Sequence, residues 1–211
     1  VQLGYYCMQL PVMAQQPDVA FGSKQSGETD IRSAREHNCI KLPADNNGAP
    51  TWANLVADLA ACLMHFKPSV VVMPHPEIDP HADHIATTQA FFQALEQSDW
   101  RPQRLFLYAN HLHDNDRWPM GHANTGVALP PAMVELPADE LFSYVLSDAQ
   151  QLDKAMALLM QHDLQSPQPF KKRLRRMIQQ VLTGRRWPKT GENEFLRKAV
   201  RKHEVFWVRE L

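Results

Sequence analysis

Cysteine is scarce in this chain. Cys7, Cys39 and Cys62 are spread over 211 positions with no Cys-x-x-Cys pair. This spacing excludes a disulfide-stapled scaffold and a thiolate metal knot, and reads as small buried residues of a reducing compartment, the cytoplasm. An excess of one charge is also lacking. The formal net charge is −1, which gives no global reason to expect nucleic acid as a partner. No stretch approaches ~18 uncharged apolar residues, so no membrane span is expected. No basic segment followed by an apolar core and a small-residue cleavage site opens the sequence, so no signal peptide is visible. Hydrophobic residues make up 44% of the chain. At this length that is enough for a sizeable core, and residues 1–211 are expected to form a single domain.

What is present concentrates between Pro68 and Leu95. Val70, Val71 and Val72 form a β-branched apolar run bounded by Pro68 and Pro74, the pattern of a buried strand of the parallel kind. His75, Glu77, Asp79, His81, Asp83 and His84 then fall within ten residues. Ile85, Thr88, Phe92 and Leu95 follow at helical spacing. A polar loop that leaves the carboxyl end of a buried strand and enters a helix is where open α/β sheets place their ligands. His81 and His84 can converge on one cation, or one can bind metal while the other transfers a proton. Catalytic zinc takes three protein ligands plus water, so two histidines are an incomplete set.

The segment PSVVVMPHPEIDPHADHIATTQA resembles the second signature of the LmbE-like, or PIG-L, zinc-dependent N-deacetylases. That signature is a strand, a loop ending in His-Pro-Asp-His, and a helix. Here the loop ends in His81-Ala82-Asp83-His84. The resemblance implies that His84 is a Zn2+ ligand, that His81 is the electrophile or general acid beside the substrate carbonyl, and that Asp83 orients the histidines. It also implies an α/β, three-layer, Rossmann-like fold with a mostly parallel sheet. The family's other signature, His-Pro-Asp-Asp-Glu after a first strand, is not found. His75-Pro76-Glu77-Ile78-Asp79 echoes it with Ile78 in a ligand's place. With Val1 as the first residue, the expectation is that the sequence is the later portion of a longer enzyme, lacking its first strand and first metal motif. The alternative is a homologue that has lost half its site.

Elsewhere, strands are expected near 3–10, 69–73 and 104–109, with helices on both faces of the sheet. A right-handed strand–helix–strand crossover is expected over 70–109. Residues 31–39 read as a helix in which Arg32 and Glu36 form an exposed pair. The resemblance gives Arg32 and Asp45 a place at the substrate, although Asn46, Asn47 and Gly48 make a turn that explains the latter segment alone. Trp52, Leu55, Val56, Leu59, Leu63 and Phe66 recur on one helix face, with Thr51 near its start. The strand at Leu105–Ala109 delivers His111 and His113 to the edge that also carries the histidine loop. Trp118 beyond it suits stacking on the apolar face of a sugar. Ser147 and Gln150 make a capping box for a helix whose stripe includes Leu152, Met156 and Met160, methionines read as core filler. Further helices are expected over 170–182 and 192–207, burying Phe195, Val200 and Phe206.

Charge is unevenly distributed. Residues 171–211 hold thirteen Lys or Arg against four Glu, whereas residues 1–170 hold nine against nineteen acids. Lys171, Lys172, Arg173, Arg175 and Arg176 make the expected helix basic, fit for a phosphorylated or lipid-linked substrate or for anionic headgroups. Two functional classes follow. One is a zinc hydrolase removing an N-acetyl group from an amino sugar or glycoconjugate. The other is a non-catalytic carbohydrate- or anion-binding homologue that has lost part of the metal site.

Overall fold

The computed structural model describes residues 1–110, 112, 140–160 and 199–211, with positions 170, 174, 177, 178, 181 and 182. Its elements run α1 (Leu10–Gln15), α2 (Trp52–Phe66), β1 (Val70–Pro74), α3 (Ala82–Glu96), β2 (Arg104–Tyr108), β3 (Glu140–Val145), α4 (Asp148–Leu159) and β4 (His203–Glu210). The four strands form one sheet in the order β1-β2-β4-β3. β1 and β2 are parallel, with Val72 opposite Phe106, whereas β4 runs antiparallel to β2, with Val208 opposite Phe106. The sheet is therefore mixed, which corrects the expectation of a mostly parallel, Rossmann-like sheet. The reason lies in His203–Glu210. Its β-branched and aromatic run Val205-Phe206-Trp207-Val208 prefers a pleated surface, although it also fits the helical spacing assigned to 192–207. β3 was not anticipated at all.

The amino-terminal strand is also corrected. No strand forms over residues 3–10. Gly4 at φ +75° and Met8 at φ +63° break the extended run, and Pro11 favours the first turn of α1, where its missing N–H costs no hydrogen bond. The helix expected over 31–39 is reduced to a 3-10 turn, Arg32–Arg35. Arg32 pairs with Asp30 at 2.6 Å rather than with Glu36. β1 lies at one end of the sheet order, and its Val70 and Val72 are exposed while Met73 is buried, so the strand is not the fully buried one its composition suggested. Beside it, Leu105 and Leu107 of β2 are fully buried.

Other elements agree with the sequence. Thr51 caps α2, its Oγ1 accepting the Asn54 N–H at 3.1 Å, and the helix closes on Lys67 in the left-handed region just before Pro68. Ser147 and Gln150 cap α4 reciprocally, as the capping box requires. The α4 stripe differs: Leu152, Met156 and Met160 are exposed, so the methionines are not core filler. Phe195 lies outside the described residues, while Val200 and Trp207 are buried and Phe206 is half-buried against the Phe106 ring.

The described residues fall into two compact units. The first holds 1–110, 112, 140–142 and 206–211; the second holds 143–160, 199–205 and the described positions of 170–182. In the first unit α3 packs on β1, α2 and α1, around a core that includes Met13, Ile31, Trp52, Leu55, Phe91 and Leu95.

A buried ionic network ties α2 to the amino-terminal segment. Asp58 sits on the apolar face of α2, fully buried. It accepts from Arg35 Nη2 at 2.6 Å, Tyr5 Oη at 2.8 Å and the Ala44 N–H at 2.9 Å. Arg35 also donates to Asp45 at 3.0 Å and to the Leu3 carbonyl at 2.7 Å, and lies over the Tyr5 ring. Burial, then the Asp58 charge, raises the Tyr5 phenol far above its usual value. Breaking one partner of such a pair leaves an uncompensated buried charge, at a cost of about 3–5 kcal/mol. Arg35→Met should therefore lower stability by about that amount in urea unfolding. Arg35→Met with Asp58→Leu should recover much of the loss. A single variant as stable as the parent would contradict the network's role.

Candidate functional site

The loop from His75 to His84 is built by β1, β2 and the first turn of α3. The His75 N–H donates to the Tyr108 carbonyl at 2.7 Å, extending the β1–β2 ladder by one step. The His75 ring is fully buried and packs edge-on against Trp207, with centroids 5.6 Å apart. Its Nδ1 accepts the N–H groups of Glu77 at 3.1 Å and Ile78 at 3.3 Å. An acceptor nitrogen in neutral imidazole leaves the proton on Nε2. His75 thus acts as the hub of a tight turn.

Asp79 is the centre of the loop. It is buried, and three donors surround its carboxylate. Oδ1 accepts the His81 N–H at 3.0 Å, a local turn two residues long. Oδ2 accepts the Asn110 N–H at 2.9 Å and lies 2.9 Å from His84 Nδ1. Burial pushes the Asp79 carboxyl up, but the bonds from His84, His81 and Asn110 outweigh it and hold the group at about 2. The same charge, added to burial, raises the Tyr108 phenol.

His81 is the N-cap of α3, and Asp83 and His84 lie in its first turn. The His81 and His84 rings are 4.6 Å apart, tilted by 42°. Thr88 Oγ1 donates to the His84 carbonyl at 3.0 Å and reaches the Pro74 carbonyl at 3.3 Å, so the helix start is tied to the end of β1. Asp83 has another attachment. Its Oδ2 accepts the Met8 N–H at 2.6 Å, with Cys7 Sγ at 3.5 Å, anchoring the segment before α1. The carboxylate that fixes His84 is therefore Asp79. Its signal in the sequence was the Asp-Pro-His spacing, an aspartate two residues before the helix cap.

Arg32 and Asp45 line a different cavity, of about 360 Å³, with Arg35, Cys39 and Lys41 and none of the loop's histidines. Asp45 is engaged by Arg35 and by the Leu42 N–H at 2.8 Å. It closes the 3-10 turn Pro43–Asn46, after which Gly48 at φ +67° reverses the chain against Asp30. His111, His113 and Trp118 lie outside the described residues.

The loop does not fit a zinc ion. The Asp79 carboxylate already serves three donors, Asp83 Oδ2 is directed to Met8, and His75 is buried inside its own turn. Among the described residues no group of three or more His, Cys, Asp or Glu side chains is arranged to hold a metal. No family model matches the chain, and no curated protein or solved structure matches it. Together these findings correct the expectations of a Zn2+ cofactor, of a hydrolase and of N-deacetylase activity.

Because the Asp79 pKa is depressed, its contribution to stability is present above the unfolded value near ~3.9 and is lost as pH falls toward the folded value. About 2–3 kcal/mol should disappear over that window. Asp79→Asn should flatten the acid limb of the stability curve, measured by urea midpoints from about pH 5 to pH 2. An unchanged acid limb would remove Asp79 from its place as the buried anion.

Proposed function

We propose that the chain is a binding protein of LmbE-like descent, one that takes an anionic carbohydrate or glycoconjugate at the His75–His84 loop without turning it over. The reading rests chiefly on the paired imidazoles of His81 and His84, 4.6 Å apart at the start of a 15-residue helix. Both side chains are partly exposed. With the His84 Nδ1–H held by Asp79, it is the imidazolium form of the ring that offers an Nε2–H to phosphate or carboxylate oxygens beside the positive end of the helix, each charge-assisted bond contributing about 1.5–3 kcal/mol. Asp79 supports this by fixing one ring, so less freedom is lost on binding.

The carbohydrate part of the reading draws on the resemblance of Pro68–Ala90 to the LmbE-like signature and on Trp118 in the sequence. A cytoplasmic setting is part of the same proposal. It is supported by Cys7, Cys39 and Cys62, which form no disulfide although two of them are exposed. No described helix is long and apolar enough to cross a membrane.

Calorimetric titration of the full chain with a hexose phosphate and with the parent hexose tests the proposal. The phosphorylated sugar should bind at least ~10-fold more tightly than the neutral one, a gap of about 1.4 kcal/mol. His81→Ala with His84→Ala should lose at least that factor while keeping the folded circular dichroism spectrum, although loss of the His84 contact to Asp79 lowers the unfolding temperature. Equal binding by parent and double variant, or no binding of the phosphorylated sugar, would overturn the assignment.

A further inference from the structure

We propose that the second unit docks on an anionic bilayer surface through the helical positions between Phe170 and Leu182. Phe170, Leu174, Met177, Ile178, Val181 and Leu182 are all helical. They are exposed by 76, 39, 58, 47, 78 and 78% respectively. Their spacing is that of a single apolar stripe. A stripe that serves a protein core is buried; these six positions are exposed. The same unit carries a second stripe on α4, where Leu152, Met156 and Met160, four residues apart, are 64, 55 and 74% exposed.

The sequence around the first stripe states the chemistry of what covers it. Lys171, Lys172, Arg173, Arg175 and Arg176 stand between its apolar residues, and Arg185, Arg186 and Lys189 follow. No Asp or Glu occurs from Lys171 to Gly191. Apolar residues at helical spacing, interspersed with cations and free of acids, match the interface between acyl chains and anionic headgroups. A second copy of the chain is a poorer occupant, since pairing two such segments would bring sixteen like charges together. The mode is interfacial rather than spanning, in keeping with the absence of a described helix able to cross a membrane. The proposal is independent of the histidine loop, which belongs to the first unit.

Co-sedimentation of the full chain with vesicles tests it, using phosphatidylcholine alone and phosphatidylcholine mixed with phosphatidylglycerol. Binding to the mixed vesicles should exceed binding to the neutral ones at least ~10-fold and should weaken with salt. Lys171→Glu, Lys172→Glu and Arg175→Glu together should weaken it about 100-fold, at roughly fivefold per cation. Leu174→Ser with Ile178→Ser should also weaken it, with the circular dichroism of the free protein unchanged. No binding to mixed vesicles overturns the proposal, as does equal binding to neutral ones or binding that survives both sets of substitutions. A loss of oligomer mass in the serine variant, with vesicle binding intact, would assign the stripe to self-association instead and overturn it equally.

Discussion

A buried carboxylate must be surrounded by donors or give up its charge, and this requirement on Asp79 organises the first unit. Its partners come from three places. The His81 N–H belongs to the cap of α3, the Asn110 N–H follows β2, and His84 Nδ1 lies one turn into the helix. One side chain thereby fixes how the parallel pair β1–β2 meets the helix between them. The histidine loop is an outcome of that arrangement. Its two partly exposed rings are presented at the helix start because the group beneath them is pinned on both oxygens.

The same logic separates this loop from a metal centre. A metal site needs carboxylates and imidazoles with lone pairs directed to a common point. Here the Asp79 oxygens accept backbone N–H groups and face His84 Nδ1, and Asp83 Oδ2 accepts the Met8 N–H. Asp58 repeats the pattern on α2, where Arg35, Tyr5 and the Ala44 N–H fill its coordination. Asp45 and Asp83 do likewise for Leu42 and Met8. Four aspartates that chemistry alone offers to a cation or a substrate are thus engaged in holding short irregular segments to helices. A unit whose residues before Trp52 hold only the short helix Leu10–Gln15 and two 3-10 turns would otherwise have few regular hydrogen bonds to define those segments; side-chain carboxylates supply them.

The sequence made α2 and the β1–α3–β2 unit legible because long periodic runs with caps leave little choice: Thr51 and the Trp52–Leu63 stripe specify the one, the Val70 run and the Leu105 run the other. The capping box at Ser147 was legible for the same reason. Residues 1–10 were not, since Tyr5-Tyr6-Cys7 favours a strand locally while Gly4, Met8 and Pro11 decide otherwise in the fold. The tail was misread because Phe206 and Trp207 satisfy both periods, and only pairing with β2 selects the strand. In the site, the loop and its histidines could be located from their spacing, but the division of labour among Asp79, Asp83 and Asp58 could not. Which carboxylate reaches which donor depends partly on contacts distant in sequence, such as Tyr5 with Asp58 across 53 residues and Met8 with Asp83 across 75, and periodicity carries no record of those. Asp58 did leave one trace: a charged residue falling on an apolar helix face needs a buried partner.

The central claim is that an ionised Asp79 fixes the His84 ring through Nδ1. Long-range 1H–15N NMR of the imidazole groups measures this directly, because it distinguishes the two ring tautomers. The account predicts that neutral His84 carries its proton on Nδ1 in the parent protein and that this preference is lost in Asp79→Asn. A His84 proton on Nε2, or the same tautomer in both proteins, would contradict it.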